Sequence, residues 1–220
     1  MTATTAQAQV WEGGHSFRHL DVALPELAPG ELMVKLRAAT ICGSDRHTVS
    51  GRRSGACPSI LGHEGVGEIV AGSREGVAPG QRVVFSVTAS CGTCLQCRRG
   101  LSAKCTGVRK AGHESFASDW PLSGTYATRI HVLAGQAVAV VPDAVPDAVA
   151  STAGCAVATV MAVLERAGEL QGRTVLVNGI GMLGMIAVLA ARSRGAARVI
   201  ACDPNPDSLA KVAGIADEVV

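Results

Sequence analysis

The sequence has 220 residues, of which 48% are hydrophobic and 17% charged, a composition typical of one large or two modest globular domains and not of a disordered chain. A net charge of +2 gives no reason to expect nucleic acid or a membrane as partner, and 3% aromatic residues argue against a base-stacking surface. The first residues lack the basic start and apolar core of a signal peptide, so the eight cysteines indicate metal binding or catalysis more than disulfides. We therefore expect a cytoplasmic protein in a reducing compartment.

The first part of the chain is rich in predicted β-strands. Apolar residues alternate with polar ones at 17–22, 31–38, 65–70 and 82–87. Turn signals such as Pro29-Gly30 and Pro79-Gly80 stand between these runs. Several short strands joined by Gly and Pro turns predict a small barrel or sandwich.

One short polar stretch in this part concentrates reactive side chains: Cys42, Ser44, Asp45, His47, His63 and Glu64. Thiolate and imidazole are preferred zinc ligands, and a catalytic zinc takes three protein ligands and leaves one position open. Cys42 and His63 would supply two ligands, and Cys155, far along the chain, is the candidate for the third. A structural interpretation stays open, because cysteine is often a small buried hydrophobe and a lone His beside a Glu is more often structural.

A cluster of thiols follows within the predicted lobe 91–105, at Cys91, Cys94, Cys97 and Cys105. Thiolates repel each other unless a cation lies between them, and a tetrahedral four-cysteine cage is the usual closed structural zinc site. Free or oxidised thiols are the alternative, but this spacing is a strong signal for metal, which would order the lobe. We interpret Cys57 and Cys202 as ordinary thiols.

The pattern changes near 142–151, where Pro and Asp cluster, and we place a boundary there between domains at 1–150 and 151–220. The stretch 148–167 is rich in Ala and Val with helical spacing, and it contains Cys155 and Thr159. A buried-strand run at 172–178, a glycine turn, a helix at 185–194 and a second strand follow. The second strand ends in Asp203.

The glycine turn carries a G-x-G-x-x-G motif that consists of Gly179, Gly181 and Gly184, with Met182 and Leu183 inside it. Alone the motif is weak, but its place between a strand and a helix is what a dinucleotide fingerprint requires. Gly179 would permit the tight turn, Gly181 would let the backbone approach the pyrophosphate, and Gly184 would let helix and strand pack closely. The diphosphate would meet the free N–H groups of the helix N-terminus.

Asp203 completes this fingerprint at the end of the second strand. Its carboxylate would accept from the ribose hydroxyls and repel a 2′-phosphate, which favours NAD over NADP. The alternative is a helix-capping role ahead of Pro204-Asn205, where Asp is common.

Together these motifs resemble the zinc-dependent medium-chain dehydrogenase/reductase family, the alcohol and polyol dehydrogenases, over the whole chain. The matching parts are Cys42-Gly-Ser-Asp-x-His47, Gly62-His63-Glu64-Gly65-x-Gly67, the four-cysteine lobe, Cys155 and the glycine turn. The resemblance implies an α/β protein with a β-rich part: a GroES-like β-barrel catalytic domain at 1–150, then an incomplete Rossmann domain at 151–220. It also implies a homodimer or homotetramer at full length.

The resemblance further implies two zinc ions per chain, one catalytic and one structural. Cys42, His63 and Cys155 match the catalytic ligands, with Glu64 beside the metal, and the four cysteines match the structural site. Ser44 and His47 match the proton-relay positions, Asp45 the acid that orients the histidine ligand, and Thr159 a residue near the nicotinamide. The implied activity is hydride transfer between a small alcohol, or its aldehyde or ketone, and NAD.

Two further expectations concern subgroup and length. Residues 112–124, which include Gly112-His113-Glu114, also resemble a subgroup of alcohol dehydrogenases associated with phosphonate catabolism. Relatives continue well beyond Val220, so we expect either a fragment or an unusually short protein. A truncated, catalytically weak or non-catalytic zinc- and nucleotide-binding protein is the alternative function, while the ligand set disfavours a zinc-free quinone reductase.

Overall fold

The computed structural model describes residues 4–220, which form two compact units. One unit ends at Cys155 and the other runs Ala156–Val220. None of the helices within the described residues is both long enough and apolar enough to cross a membrane.

The first unit is built mainly of antiparallel strands. Its strands are β1 (Thr5–Gly13), β2 (Ser16–Ala23), β3 (Leu32–Thr40), β4 (Ser59–Ile60), β5 (Glu64–Ala71), β6 (Arg82–Ala89), β7 (Arg109–Lys110), β8 (Arg129–Val132) and β9 (Gln136–Val140). Its short helices are α1 (Gly43–Val49), α2 (Leu95–Arg98) and α3 (Asp147–Ala150), with a 3₁₀ turn (Ser102–Lys104) and a π-helical turn (Ala153–Val157). The strands form a sheet β2-β1-β4 and a curled sheet β7-β6-β5-β3-β8, in which β9 also pairs with β6.

Strand alternation explains how these sheets bury their inner faces. Along β1, Ala6, Ala8 and Val10 are buried while the residues between them are exposed, the period-two pattern of a half-buried strand. In the larger sheet, Leu32 and Phe85 pack in one cluster around Trp120. The indole of Trp120 donates to the main-chain oxygen of His131 at 2.8 Å, so its polar group is satisfied in the core.

The pairing of β3 with β5 positions the polar stretch. Their antiparallel register sets Thr40 opposite Glu64, at the end of one strand and the start of the other. Cys42 follows that end by two residues, and His63 immediately precedes that start. The sheet therefore brings two residues that are 21 positions apart in sequence to the same edge.

The second unit is a small parallel α/β arrangement. Its elements are α4 (Ala158–Ala167), β10 (Thr174–Asn178), α5 (Met182–Ser193), β11 (Arg198–Cys202), α6 (Pro206–Ala210) and β12 (Glu218–Val219). The strands pair in parallel in the order β10-β11-β12, with Val188 and Val199 fully buried in the core. The predicted succession of strand, glycine turn, helix and strand is confirmed.

The predicted continuous helical spacing over 148–167 is interrupted in the structure. Helix α3 ends at Ala150, the π-helical turn spans Ala153–Val157, and α4 starts at Ala158. A Cβ on Gly154 would collide with the main-chain oxygen of Phe85, so the backbone packs too closely on β6 for any larger residue. Such π turns are rare and frequently lie at functional sites.

Candidate functional site

Three side chains from separate elements converge in the first unit. Cys42 precedes α1, His63 precedes β5, and Cys155 lies in the π-helical turn. Their potential ligand atoms, two sulfurs and an imidazole nitrogen, all lie within 4.8 Å of one another. Two thiols and one imidazole form a donor set suited to a zinc ion that keeps a fourth position open.

The orientation of His63 fits a metal ligand. Its ring is 2% exposed, and Nδ1 lies 3.4 Å from Oδ1 of Asp45. The opposite nitrogen, Nε2, lies 3.5 Å from the hydroxyl of Ser44. If a metal took the lone pair of Nε2, the ring would keep its proton on Nδ1, facing the carboxylate, as in carboxylate–histidine–zinc arrangements.

Asp45 is itself held by hydrogen bonds. Its Oδ2 accepts from the main-chain N–H of Cys42 at 3.0 Å and from the hydroxyl of Tyr126 at 3.0 Å. Burial by itself raises the pKa of Asp45, but bonds to His63, Tyr126 and the Cys42 backbone hold it below its usual value. Burial and the adjacent Asp45 raise the pKa of Tyr126, so Tyr126 keeps its proton as a donor.

The pKa values of the three clustered side chains shift in different directions. Burial alone lowers the pKa of His63, but the neighbouring Asp45 and Cys155 raise it to about 11. Burial raises the pKa of Cys42, yet bonds to Ser44 and His63 bring it below its usual value. The neighbouring His63 lowers the pKa of Cys155, but burial and the charge of Cys42 raise it above its usual value. A bound divalent metal would favour the thiolate form of both cysteines.

Of the three predicted catalytic residues, Ser44 contacts the three-ligand cluster, whereas Glu64 and His47 are not part of it. Glu64 is buried, and its Oε2 accepts from the hydroxyl of Thr40 at 2.8 Å, so it is outside the three-ligand set. Ser44 lies within the site, beside Nε2 of His63. His47 is exposed on the same helix, where its ring helps line a cavity of about 420 Å³ together with His15, Arg46 and Arg52.

Sequence reasoning gave no role at this site to two residues. The ring of His113 has its centroid 5.2 Å from that of His63, and Tyr126 contacts Asp45. Burial, together with the charges of Arg53 and His63, lowers the pKa of His113 to about 4, so its ring is neutral near pH 7. The resemblance over 112–124 included His113 without a role at this site, and no local pattern marks Tyr126. Each residue reaches the site only through folding.

The four cysteines of the lobe form the second thiol cluster, with all sulfurs within 4.8 Å of one another. Main-chain N–H groups point at these sulfurs: Cys94 N–H at Cys91 Sγ (3.3 Å) and Cys91 N–H at Cys105 Sγ (3.4 Å). Main-chain hydrogen bonds lower the pKa of Cys94 to about 5 and that of Cys91 to about 7. Burial and the neighbouring Cys94 raise the pKa of Cys97 to about 12, so without a metal the cage combines thiolates with a protonated thiol. All eight cysteines are free, and a bound zinc would favour the thiolate form of all four in the cage.

The glycine turn in the second unit has the backbone geometry of the predicted fingerprint. Gly179 has φ of +90°, in the left-handed region that favours glycine. A Cβ on Gly184 would collide with the main-chain oxygen of Gly179, whereas a Cβ on Gly181 would meet no atom within 4 Å. Met182 and Leu183 follow at the start of α5, both well exposed, where the first helical N–H groups lack helical partners.

Asp203 lies at the end of β11 and binds the glycine turn directly. Its Oδ2 accepts from Ile180 N–H at 2.6 Å and its Oδ1 from Asn205 N–H at 2.8 Å, and these bonds lower its pKa. Helix α6 is capped by Asn205, which accepts from Asp207 N–H at 2.9 Å. The capping alternative for Asp203 is therefore wrong. Thr159 lies in the first turn of α4 and is exposed.

The chain is similar in sequence to a known domain family and to known dehydrogenases. Residues 28–147, more than half of the chain, match the family described as "Alcohol dehydrogenase GroES-like domain". An uncharacterized zinc-type alcohol dehydrogenase-like protein of Escherichia coli, YphC, is 35% identical over 213 residues, which are 90% of this chain and 58% of that protein. An L-threonine 3-dehydrogenase of Chelativorans sp. is 35% identical over 198 residues, which cover 86% and 54%.

Solved structures that resemble this chain also include alcohol dehydrogenases. An alcohol dehydrogenase from Thermotoga maritima superposes with a TM-score of 0.91 and 27% identity, covering 99% of this chain and 63% of that one. The predicted GroES-like barrel followed by an incomplete Rossmann part is thereby confirmed. The chain spans about three fifths of the length of the relatives that it matches.

Proposed function

The chain belongs to the zinc-dependent medium-chain dehydrogenase/reductase family, and from that premise we propose that it transfers a hydride between an alcohol, or its aldehyde or ketone, and NAD. The observation that carries the proposal is the meeting of Cys42, His63 and Cys155, with their ligand atoms within 4.8 Å. A closed structural site uses four protein ligands, whereas three leave a position for substrate.

In this reaction the protein's own residues would hold the metal, orient the histidine ligand and transfer the proton of the alcohol. When bound, zinc would act as a Lewis acid towards the substrate oxygen, and NAD would accept the hydride. Cys42 and Cys155 would hold the metal through sulfur and His63 through Nε2. Asp45, facing Nδ1, would keep the imidazole in the ligating orientation.

Ser44 and His47 would transfer the proton of the alcohol to solvent. The hydroxyl of Ser44 lies on the Nε2 side of His63. Its Oγ would accept the proton of the alcohol while its own hydroxyl proton passes on towards His47 and solvent. His47 is exposed, and its ring would release a proton to solvent. We propose Glu64 as a carboxylate beside the metal that contributes charge, since it is buried near the cluster and bound to Thr40.

We propose a second, structural zinc in the four-cysteine cage, which makes two zinc ions per chain. In the second unit we propose that the 179–184 turn and the start of α5 bind the pyrophosphate of NAD, as their free N–H groups would allow. Asp203 would accept from the ribose through the lone pairs left by Ile180 and Asn205, and Thr159 would lie near the nicotinamide. At full length we propose a homodimer or homotetramer.

The test is a screen for NAD reduction with a panel of small alcohols that includes phosphonate alcohols, using zinc-loaded protein. We expect turnover with at least one alcohol, and a Cys42→Ser variant as matched control should be inactive. Because the chain spans 58% of YphC, the same screen should be run on the longest expressible form. Zinc and NAD binding without turnover in either form would favour the non-catalytic alternative.

A further inference from the structure

Tyr126, the one tyrosine of the sequence, contacts two residues next to the proposed ligand His63, namely Asp45 and Gly62. Its hydroxyl donates to Oδ2 of Asp45 at 3.0 Å. Its ring lies against Gly62, where a Cβ would come within 2.6 Å of Cδ1 and Cε1 of the ring. Gly62, with φ of +87°, is the residue immediately before His63. One side chain therefore packs on the backbone that carries His63 and bonds the acid that faces its ring.

The hydrogen bonds of Asp45 divide between its two oxygens. Both donors, the Cys42 N–H and the Tyr126 hydroxyl, bind Oδ2, which leaves Oδ1 turned towards Nδ1 of His63. With the tyrosine hydroxyl removed, one neutral donor would remain and the carboxylate could rotate. A buried carboxylate with fewer donors would also be less favourable as an anion.

We propose that Tyr126 is a positioning residue for the catalytic zinc, acting through Asp45 to hold His63 in its ligating orientation. The inference rests on the proposed three-ligand zinc site. It differs from a packing role, because the ring alone would satisfy packing against Gly62, whereas metal affinity requires the hydroxyl. Partners outside the ligand shell commonly contribute a factor of about 10–100 in metal affinity.

Thr125 offers a matched control on the neighbouring position. Its side chain also lies against Gly62, and its Oγ1 is buried without a hydrogen-bond partner in residues 4–220. Thr125→Val thus removes a buried hydroxyl beside Gly62 and leaves the hydrogen bonds of Asp45 unchanged. Tyr126→Phe removes the hydroxyl that binds Asp45 and keeps the ring.

The experiment is a cobalt(II) titration of the whole chain, since the visible spectrum of cobalt distinguishes a site of two sulfurs and one nitrogen from a four-sulfur site. We expect Tyr126→Phe to weaken cobalt binding at the three-ligand site about tenfold and to shift its spectrum. The four-cysteine site should be unaffected, and Thr125→Val should match wild type at both sites. Unchanged affinity and spectrum in Tyr126→Phe would overturn the inference.

A double-mutant cycle with Asp45→Asn separates this role from general loosening. If Tyr126 acts through Asp45, adding Tyr126→Phe to Asp45→Asn should weaken cobalt binding little further. Full additivity of the two effects would overturn the inference; if Asp45→Asn does not fold, the single variant decides. A wild-type chain with only the four-sulfur spectrum would instead contradict the proposed function itself.

Discussion

Cys155 is the residue on which the proposed catalytic zinc site most depends, since the other two proposed ligands already lie at one sheet edge. We expect Cys155→Ser to lose the catalytic zinc and to lower turnover by more than about 100-fold, the upper range for residues that only support ligands. The four-cysteine zinc and nucleotide binding should persist, because they use other elements. Zinc content per chain and the rate of NAD reduction measure the two effects.

The controls for that variant are the two remaining thiols. Cys57 is exposed and Cys202 half-buried, and neither belongs to a metal-ligand group among the described residues. Cys57→Ser and Cys202→Ser should leave zinc content and activity unchanged. A Cys155→Ser chain with full zinc and full activity would refute the ligand assignment and make Glu64 the next candidate.

Asp203 is the residue proposed to set cofactor preference. Its carboxylate also binds the N–H groups of Ile180 and Asn205, so Asp203→Ala would disturb the turn as well as the ribose site. Asp203→Asn keeps an acceptor and removes the charge, and we expect it to weaken NAD relative to NADP by about 10-fold or more, the worth of a charged hydrogen bond. KM for both cofactors measures this; an unchanged ratio in both variants would mean that another residue sets the preference.

The four-cysteine lobe is the element whose folding we propose to depend on a metal. We expect Cys94→Ser to release the structural zinc and to unfold the lobe. A cross-link over about 15 residues is worth about 3 kcal/mol, so the melting temperature should fall by about 6–12 °C. Calorimetry with and without a chelator provides the measurement. If chelation leaves the wild-type melting temperature unchanged, the cage does not hold a structural metal.

The carboxylate of Asp147 on helix α3 binds two strands of the curled sheet. Asp147 accepts from Arg37 Nε on β3 at 2.8 Å and from Arg82 Nη1 on β6 at 2.7 Å. Hydrogen bonds from Arg37 and then Arg82 lower the pKa of Asp147 below its usual 3.8. A carboxyl with a lowered folded pKa stabilises the protein above the unfolded pKa, and that contribution disappears as the pH falls through the folded value.

Asp147→Asn should therefore unfold at a lower temperature than wild type near neutral pH. The difference between the two proteins should shrink as the pH falls below about 3.8, because wild-type Asp147 then takes up a proton. Thermal unfolding over this pH series tests the expectation. A difference that stayed constant down to the lowest pH would show that packing of α3, and not the charge, is responsible.

At the element scale, periodicity alone predicted several of the strands. The alternation that marks 31–38 and 82–87 gave β3 and β6, since one face of each strand is buried. The interruption at Ala153–Val157 was not predictable, because Ala, Gly and Val suit a continuous apolar helix. Close packing of Gly154 on Phe85, a contact between residues 69 positions apart, accompanies the π turn.

For the whole molecule, we expect two zinc ions per chain, because the described residues contain two separate groups of convergent thiol and imidazole ligands. Metal analysis of purified protein, repeated on Cys42→Ser and Cys94→Ser, should give about two, one and one, as each variant removes a ligand from one site. One zinc or none in wild type would contradict the expectation. Two zinc ions in Cys42→Ser would place the second ion elsewhere.

Four features could be predicted from the amino-acid sequence alone: the types of candidate ligand, the four-cysteine spacing, the glycine turn and the acid that follows β11. These are local patterns, in which neighbours along the chain are neighbours in space. Three contacts become visible only in the folded chain: Cys155 meets Cys42 and His63, Asp203 binds Ile180, and Tyr126 reaches Asp45. Those contacts join distant segments through strand register and core packing, and no short pattern encodes them.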